Sequence, residues 1–399
     1  MARTRNTLAQ EMDIAHLIST GVLASVCPRE LIDEVLQDSG RASQRRRLLP
    51  AAAVVYYVMA LALWRQLPLQ EVLRVGCEGL NWLQLGSGQP MAVGASKSAI
   101  SQARTRLGGD VMHRLARRVL RPLAPADMRC AWFGPYRVMA IDGTCLDVPD
   151  ERANAQHFGY PGASRGSSAF PQLRMVAVAE CGTHAICDAQ VGPYSQGEQT
   201  LAAPLLQRLQ PDQLLLADRG FYSYTLWRQA SASGARLLWR VKSSLRLPVH
   251  ELLADGSYTS EVFASTDRKR QHGLPVRVIQ YTLNGVPGPS QTYRLITNVE
   301  LKQGQAQQLA ALYHERWEVE NTFDEFKTHL AGGYSTALRS KTPELVLQEL
   351  WGLLLAHFAV RQLMVKAAWQ RQLDPDRLSF VHAVRVLKRR MPQAAAIPP

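Results

Sequence analysis

Arg137-Val138-Met139-Ala140-Ile141-Asp142-Gly143-Thr144 and Gln213-Leu214-Leu215-Leu216-Ala217-Asp218-Arg219-Gly220 decide the reading of this chain. Each is an apolar run of strand length, closed by an aspartate and then by turn-forming residues. Between them, 173–180 and 185–191 read as two strands around the turn Cys181-Gly182-Thr183-His184, a hairpin, and 197–209 reads as a helix. The order is strand, hairpin, helix, strand. If the first and last strands are parallel neighbours, their ends bring two carboxylates together. Such a pair repels itself unless a cation sits between, and hard oxygen ligands suit Mg²⁺.

A third carboxylate comes from 312–329, LYHERWEVENTFDEFKTH. On a helix at 100° per residue, Tyr313, Arg316, Glu320 and Lys327 fall within about 60° of one another. A face with a phenol, a guanidinium, a carboxylate and an ammonium suits a metal and a row of phosphates better than a core. Asp324 lies on the same arc, one turn beyond Glu320, and is the rival ligand. Two aspartates and a helix carboxylate make a site for two metals roughly 3.5–4 Å apart, the arrangement used for in-line phosphoryl displacement.

The rest of the chain frames this centre. It has 399 residues, enough for two to four domains at roughly 100–200 residues each. Hydrophobic residues make up 46% and charged residues 20%, which excludes a mostly disordered chain. Lys and Arg number 46 against 33 Asp and Glu, a net +13, so a polyanionic partner is expected, nucleic acid before anionic membrane. Six sparse cysteines favour a reducing cytosol over a disulfide framework. Residues 1 to about 125 read as helical. The uncharged stretch 48–64 is short and Ala-rich and contains Pro50, so it is expected to be a buried helix from Pro50 rather than a membrane span. Ser96 can cap a helix closed by Gly108, with Lys97, Ser101, Gln102 and Arg104 on its outer face; this is either a DNA-reading helix or a solvated surface. Residues 122–135 form a Pro-rich linker. The segment 236–300 holds short strands, 236–241, 258–263, 276–283 and 291–297, with no crossover helix, so it should be antiparallel. Helix returns at 301 and runs to about 369, broken at Gly332-Gly333, before a basic tail.

Two rival chemistries fail on their residues. Asp142-Gly143-Thr144 would fit an aspartyl-nucleophile phosphatase, but the nucleophile position is Ala140. Cys181, His184 and Cys187 have a zinc-like spacing without a fourth ligand.

Three signatures together resemble the DDE transposases of the IS4 insertion-sequence family: Ile141-Asp142-Gly143-Thr144; Ala217-Asp218-Arg219-Gly220-Phe221-Tyr222; and Tyr313, Arg316, Glu320 and Lys327 in the pattern Y-x₂-R-x₃-E-x₆-K. The resemblance implies an α/β protein with a ribonuclease-H-like mixed sheet, flanking helices, a β-rich insertion and a helical N-terminal domain. The expected divisions are 1–125, helical and binding transposon ends; 126–235, the first part of the catalytic core; 236–300, the insertion; 301–370, the helical completion of the core; and 371–399, a basic tail. Asp142, Asp218 and Glu320 would be catalytic metal ligands for Mg²⁺ or Mn²⁺, two ions. Tyr313, Arg316 and Lys327 would contact phosphates at the transposon end. Trp239 or Tyr293 of the insertion would stack on a flipped base, and Lys97 and Arg104 would bind DNA. The implied activity is metal-dependent cleavage at transposon ends and strand transfer into target DNA. Its partners would be double-stranded DNA carrying the inverted repeats, target DNA, and a second protomer in the synaptic complex. No membrane would be involved, and the setting would be the cytoplasm of a bacterium, at the nucleoid. An inactive relative acting as a DNA-binding repressor, and a structure-specific nuclease on the same core, are the alternatives.

Overall fold

The computed structural model describes residues 21–44, 49–80, 95–163, 166–167, 169–282, 292–300, 305–330, 332 and 337–390. The basic run Arg45–Arg47 and the loop 86–94 lie outside the described residues. The chain divides into two compact units, 1–123 with 146–173 and 323–399, and 124–145 with 174–322. The break at 123 falls beside the expected boundary at 125, whereas 235, 300 and 370 are not breaks of this division. The N-terminal helices do not stand apart, because they pack with the C-terminal ones.

The first unit is helical. Pro50 opens the helix Ala51–Leu63, in which every residue after Ala51 is buried. An uncharged, all-apolar helix of this length buries itself on all sides. Among the described residues, no helix is long and apolar enough to cross a membrane. Ala51–Leu63 packs against Pro343–Gln370, which is buried through most of its length. Gly352 permits the close approach: a Cβ there would lie 2.6 Å from Val58 Cγ1 and 2.9 Å from the Val58 carbonyl oxygen. Ser96 caps Lys97–Leu107 as expected, its hydroxyl accepting from the Ala99 N–H at 3.2 Å. The expected tail contains a further helix, Phe380–Arg390.

The second unit is built on one mixed sheet. Its strands are β1 Tyr136–Asp147, β2 Gln172–Glu180, β3 Ala185–Pro193, β4 Gln213–Ala217, β5 Arg236–Arg240, β6 Glu251–Leu252, β7 Tyr258–Val262, β8 Leu274–Thr282 and β9 Thr292–Thr297. Their order is β3-β2-β1-β4-β5-β9-β8-β7-β6. β4 is parallel to β1 and β5 is parallel to β4. β9 is antiparallel to β5, β8 to β9, and β7 to β8. Among themselves the strands of 236–300 pair antiparallel as expected, but the first of them, β5, is also parallel to β4, so they extend the central sheet instead of forming a separate module. The helices Glu198–Leu206 and Tyr224–Ala232 bury Leu201, Leu205, Leu226 and Trp227 in a core with Met139, Ile141, Leu215, Leu237 and Ile296. β1 is longer than the sequence suggests. It runs on to Asp147, so Asp142 lies within the strand and does not end it.

Candidate active site

Parallel pairing sets Ile141 opposite Ala217; Asp142 is the next residue of β1 and Asp218 the first residue beyond β4. Asp142 Oδ1 accepts the Gly143 N–H at 2.8 Å. Arg316 joins the third carboxylate to the first: Nη1 lies 3.3 Å from Asp142 Oδ2 and Nη2 lies 3.0 Å from Glu320 Oε1. The guanidinium is 8% exposed, whereas the Glu320 side chain is 42% exposed, so the network opens toward solvent on the Glu320 side. Burial pushes the Asp142 carboxyl up to about 6; the Gly143 N–H and Arg316 oppose this, while Glu320 and Glu198 reinforce it. A buried carboxylate crowded by two others, with one guanidinium for balance, is a donor set of hard oxygens short of positive charge. These residues fit a hard divalent cation.

The other expected residues divide sharply. The stretch from 313 is not one regular helix: a 3₁₀ turn, Tyr313–Arg316, is followed by α-helix Trp317–Asp324 and a π-helical turn, Glu325–Leu330. The uniform 100° step does not hold, and the single stripe does not form as drawn. Tyr313 is 3% exposed and its hydroxyl points to the Ala217 carbonyl oxygen at 3.5 Å, so it packs beneath the site and does not reach out to phosphates. Lys327 falls in the π-helical turn. Trp317, beside Arg316, is 51% exposed.

Arg104 is a correction. It is buried, donating from Nε to Gln348 at 2.9 Å and from Nη2 to Ser340 at 2.9 Å, and cannot read DNA from there. Lys97, on the same helix, is exposed. Trp239 is a second correction. It is fully buried in central strand β5, edge-on to Trp227 at 5.3 Å, and has no face for a base. Trp239→Phe is expected to cost about 1–2 kcal/mol in a denaturant melt and to leave DNA binding unchanged; a specific loss of DNA binding in a fold of native stability would restore the stacking role. Tyr293 is half-buried, parallel to Tyr281 at 5.3 Å, with the Arg240 guanidinium 4.2 Å from its ring centre.

Sequence reasoning missed two features. His314 and Tyr281 join Tyr293 and Tyr313 in an aromatic cluster that links the 3₁₀ turn to β8 and β9. Cross-strand pairing of Tyr281 with Tyr293 could have signalled it once the register was known. Glu198 lies against Gly143; its only local signal is an acidic residue at a helix start, which is commonplace.

Comparison with known proteins bears on the whole chain. The transposase DDE domain family matches residues 133–359, and the insertion element 4 transposase N-terminal family matches 17–117. Transposase InsG for insertion sequence element IS4, from Escherichia coli (strain K12), is 29% identical over 364 residues, covering 90% of this chain and 80% of that one. The putative transposase InsZ of the same organism is 28% identical over 229 residues, 55% of this chain and 71% of that one. A cryo-EM structure of a piggyBac transposase synaptic complex with hairpin DNA aligns with a TM-score of 0.45 and 12% identity, covering 94% of this chain and 80% of that structure.

Proposed function

Because this chain belongs to the DDE transposase family, in its IS4 branch, we propose that Asp142, Asp218 and Glu320 form the single centre at which it cuts and joins DNA. The protein is a DNA transposase, and enzymes of this family work on DNA with divalent metal ions. The observation that carries the residue assignment is the register of β1 on β4, which sets two aspartates side by side, with Arg316 tying in Glu320. Asp142, Asp218 and Glu320 would hold two Mg²⁺ or Mn²⁺ ions. When bound, these supply an activated water or 3′-hydroxyl and stabilise the leaving oxygen.

The chain's own residues do the positioning. Arg316 holds the carboxylates of Asp142 and Glu320 to one guanidinium and leaves Glu320 partly open to the DNA side. Tyr313 supports the end of β4 from beneath. Exposed Lys97 and the helical segment 1–125 bind the transposon end, the excess of 13 positive charges supplying the sequence-independent part of that affinity. Lys327 serves the phosphates, and Tyr293 is the residue of the insertion that stacks on a displaced base, which requires Tyr281 or the Arg240 guanidinium to give up its place against the ring. Water attacks at the element's end to free a 3′-hydroxyl, which then attacks target DNA at the same centre. Two ends must be processed together, which calls for two protomers at the bacterial nucleoid.

The test is a labelled DNA fragment carrying the inverted repeats that flank this gene, incubated with the protein in Mg²⁺ or in EDTA. Metal-dependent nicking at the repeat boundary followed by joining is the expected result. Cleavage that never joins indicates a nuclease, and binding without cleavage indicates an inactive relative; either result overturns the proposal.

A further inference from the structure

We infer that Glu198 is a fourth carboxylate of the same centre, acting on the metal held by Asp142, an inference that rests on the assignment of Asp142, Asp218 and Glu320 made above. The first observation is the space around Gly143. A Cβ built there would lie 2.5 Å from Glu198 Oε1, 2.7 Å from its Cδ and 2.9 Å from its Cγ. Gly143 sits in β1 and does not have the left-handed φ that calls for glycine. What its missing side chain provides is room for the Glu198 carboxylate, directly beside Asp142.

The second observation is how that carboxylate is brought there. Glu198 begins the helix Glu198–Leu206, whose Leu201, Ala202, Leu205 and Leu206 are buried in the sheet core. Gln199, the next residue, donates from Nε2 to the Gly220 carbonyl oxygen at 2.8 Å, pinning the helix start to the turn that follows Asp218. The helix start is thus fixed to both aspartate-bearing strands. The third is the lack of any other employment. Arg316 is taken by Asp142 and Glu320, and among the described residues no hydrogen bond or ion pair holds the Glu198 side chain. An acid in a first helical turn also interacts favourably with the helix dipole, but that role needs no clearance at Gly143.

The experiment is Mn²⁺ titration of the full-length protein without DNA, followed by the electron paramagnetic resonance signal of free Mn²⁺, with melting curves as a folding control. The native protein binds Mn²⁺ and Asp218→Asn loses that binding. Glu198→Gln weakens it by about tenfold, the scale set by groups that orient or support metal ligands, with a melting temperature near the native one. Gly143→Ala, which displaces the Glu198 carboxylate without removing it, weakens binding in the same direction and keeps the test open should Glu198→Gln fold poorly. Native Mn²⁺ affinity in both Glu198→Gln and Gly143→Ala, with loss in Asp218→Asn, overturns the inference alone and leaves Glu198 a helix-terminal acid. Absence of Mn²⁺ binding in the native protein overturns both this inference and the assignment beneath it.

Discussion

In the Glu320→Gln variant, cleavage at the transposon end is expected to fall by about 10³-fold or more, with folding and end binding intact. The amide keeps the shape of the side chain and removes its charge. At 42% exposure Glu320 contributes little to the core, so the melting temperature should move little. A preorganised charge in a transition-state site is worth about 10²–10³ in rate when one neutral donor is lost, and a lost metal ligand costs more. Asp324→Asn is the matched control, because Asp324 accepts a hydrogen bond from the Thr328 hydroxyl at 2.6 Å and lies 3.8 Å from His329 Nε2. It should cleave at the native rate. Normal cleavage by Glu320→Gln together with loss in Asp324→Asn would transfer the third ligand to Asp324. Gel-resolved initial rates on end-labelled DNA decide between them.

Arg316→Ala is expected to damage stability and activity together. The guanidinium is 8% exposed and bridges two carboxylates, one of them 23% exposed. Removing it leaves Asp142 and Glu320 facing each other without their shared cation. Orphaning buried charge costs about 3–5 kcal/mol; solvent screening of the half-open Glu320 brings the expectation toward the lower end, about 3 kcal/mol. That corresponds to a fall in melting temperature on the order of 5 °C. Millimolar Mg²⁺ should recover part of the loss, since a divalent cation bound to the native state compensates the missing charge and shifts the folding equilibrium. Thermal melts of native and variant protein with Mg²⁺ and with EDTA read this directly. An unchanged melting temperature in the variant, or a gap indifferent to Mg²⁺, would show that Arg316 does not balance these carboxylates.

The parts of this architecture that were legible in the sequence are those fixed by local pattern. Four apolar residues before Asp218, after Gln213, read as a short buried strand, and the strands of the 236–300 segment match their expected limits within a residue or two. Bringing Asp142 near Asp218 needs a parallel register of their strands, and β1 and β4 do pair in parallel up to Ile141 and Ala217. What could not be read depends on partners distant in the chain. Arg104 has the polar neighbours of a surface residue, yet it is satisfied by Gln348 and Ser340, more than two hundred positions away. Trp239 was assigned to the insertion because strands crowd that segment; it belongs to β5, and the parallel partner that buries it lies upstream. The stripe from Tyr313 to Lys327 assumed a uniform helix, and a periodic pattern does not announce that its first turn tightens to 3₁₀ and its last loosens to π. Arg316 and Glu320 survive that change because an i,i+4 pair depends on one turn alone.

One centre performing both cleavage and joining is the core of this account, and joining from a pre-cut end tests it most directly. A DNA end supplied with its 3′-hydroxyl already free bypasses the first cut, so only the second step remains. With Mg²⁺ and supercoiled target DNA, the native protein is expected to insert that end, and Asp142→Asn, Asp218→Asn and Glu320→Gln are each expected to fail while still binding it. Insertion at the native rate by any of the three folded variants would contradict a single shared centre.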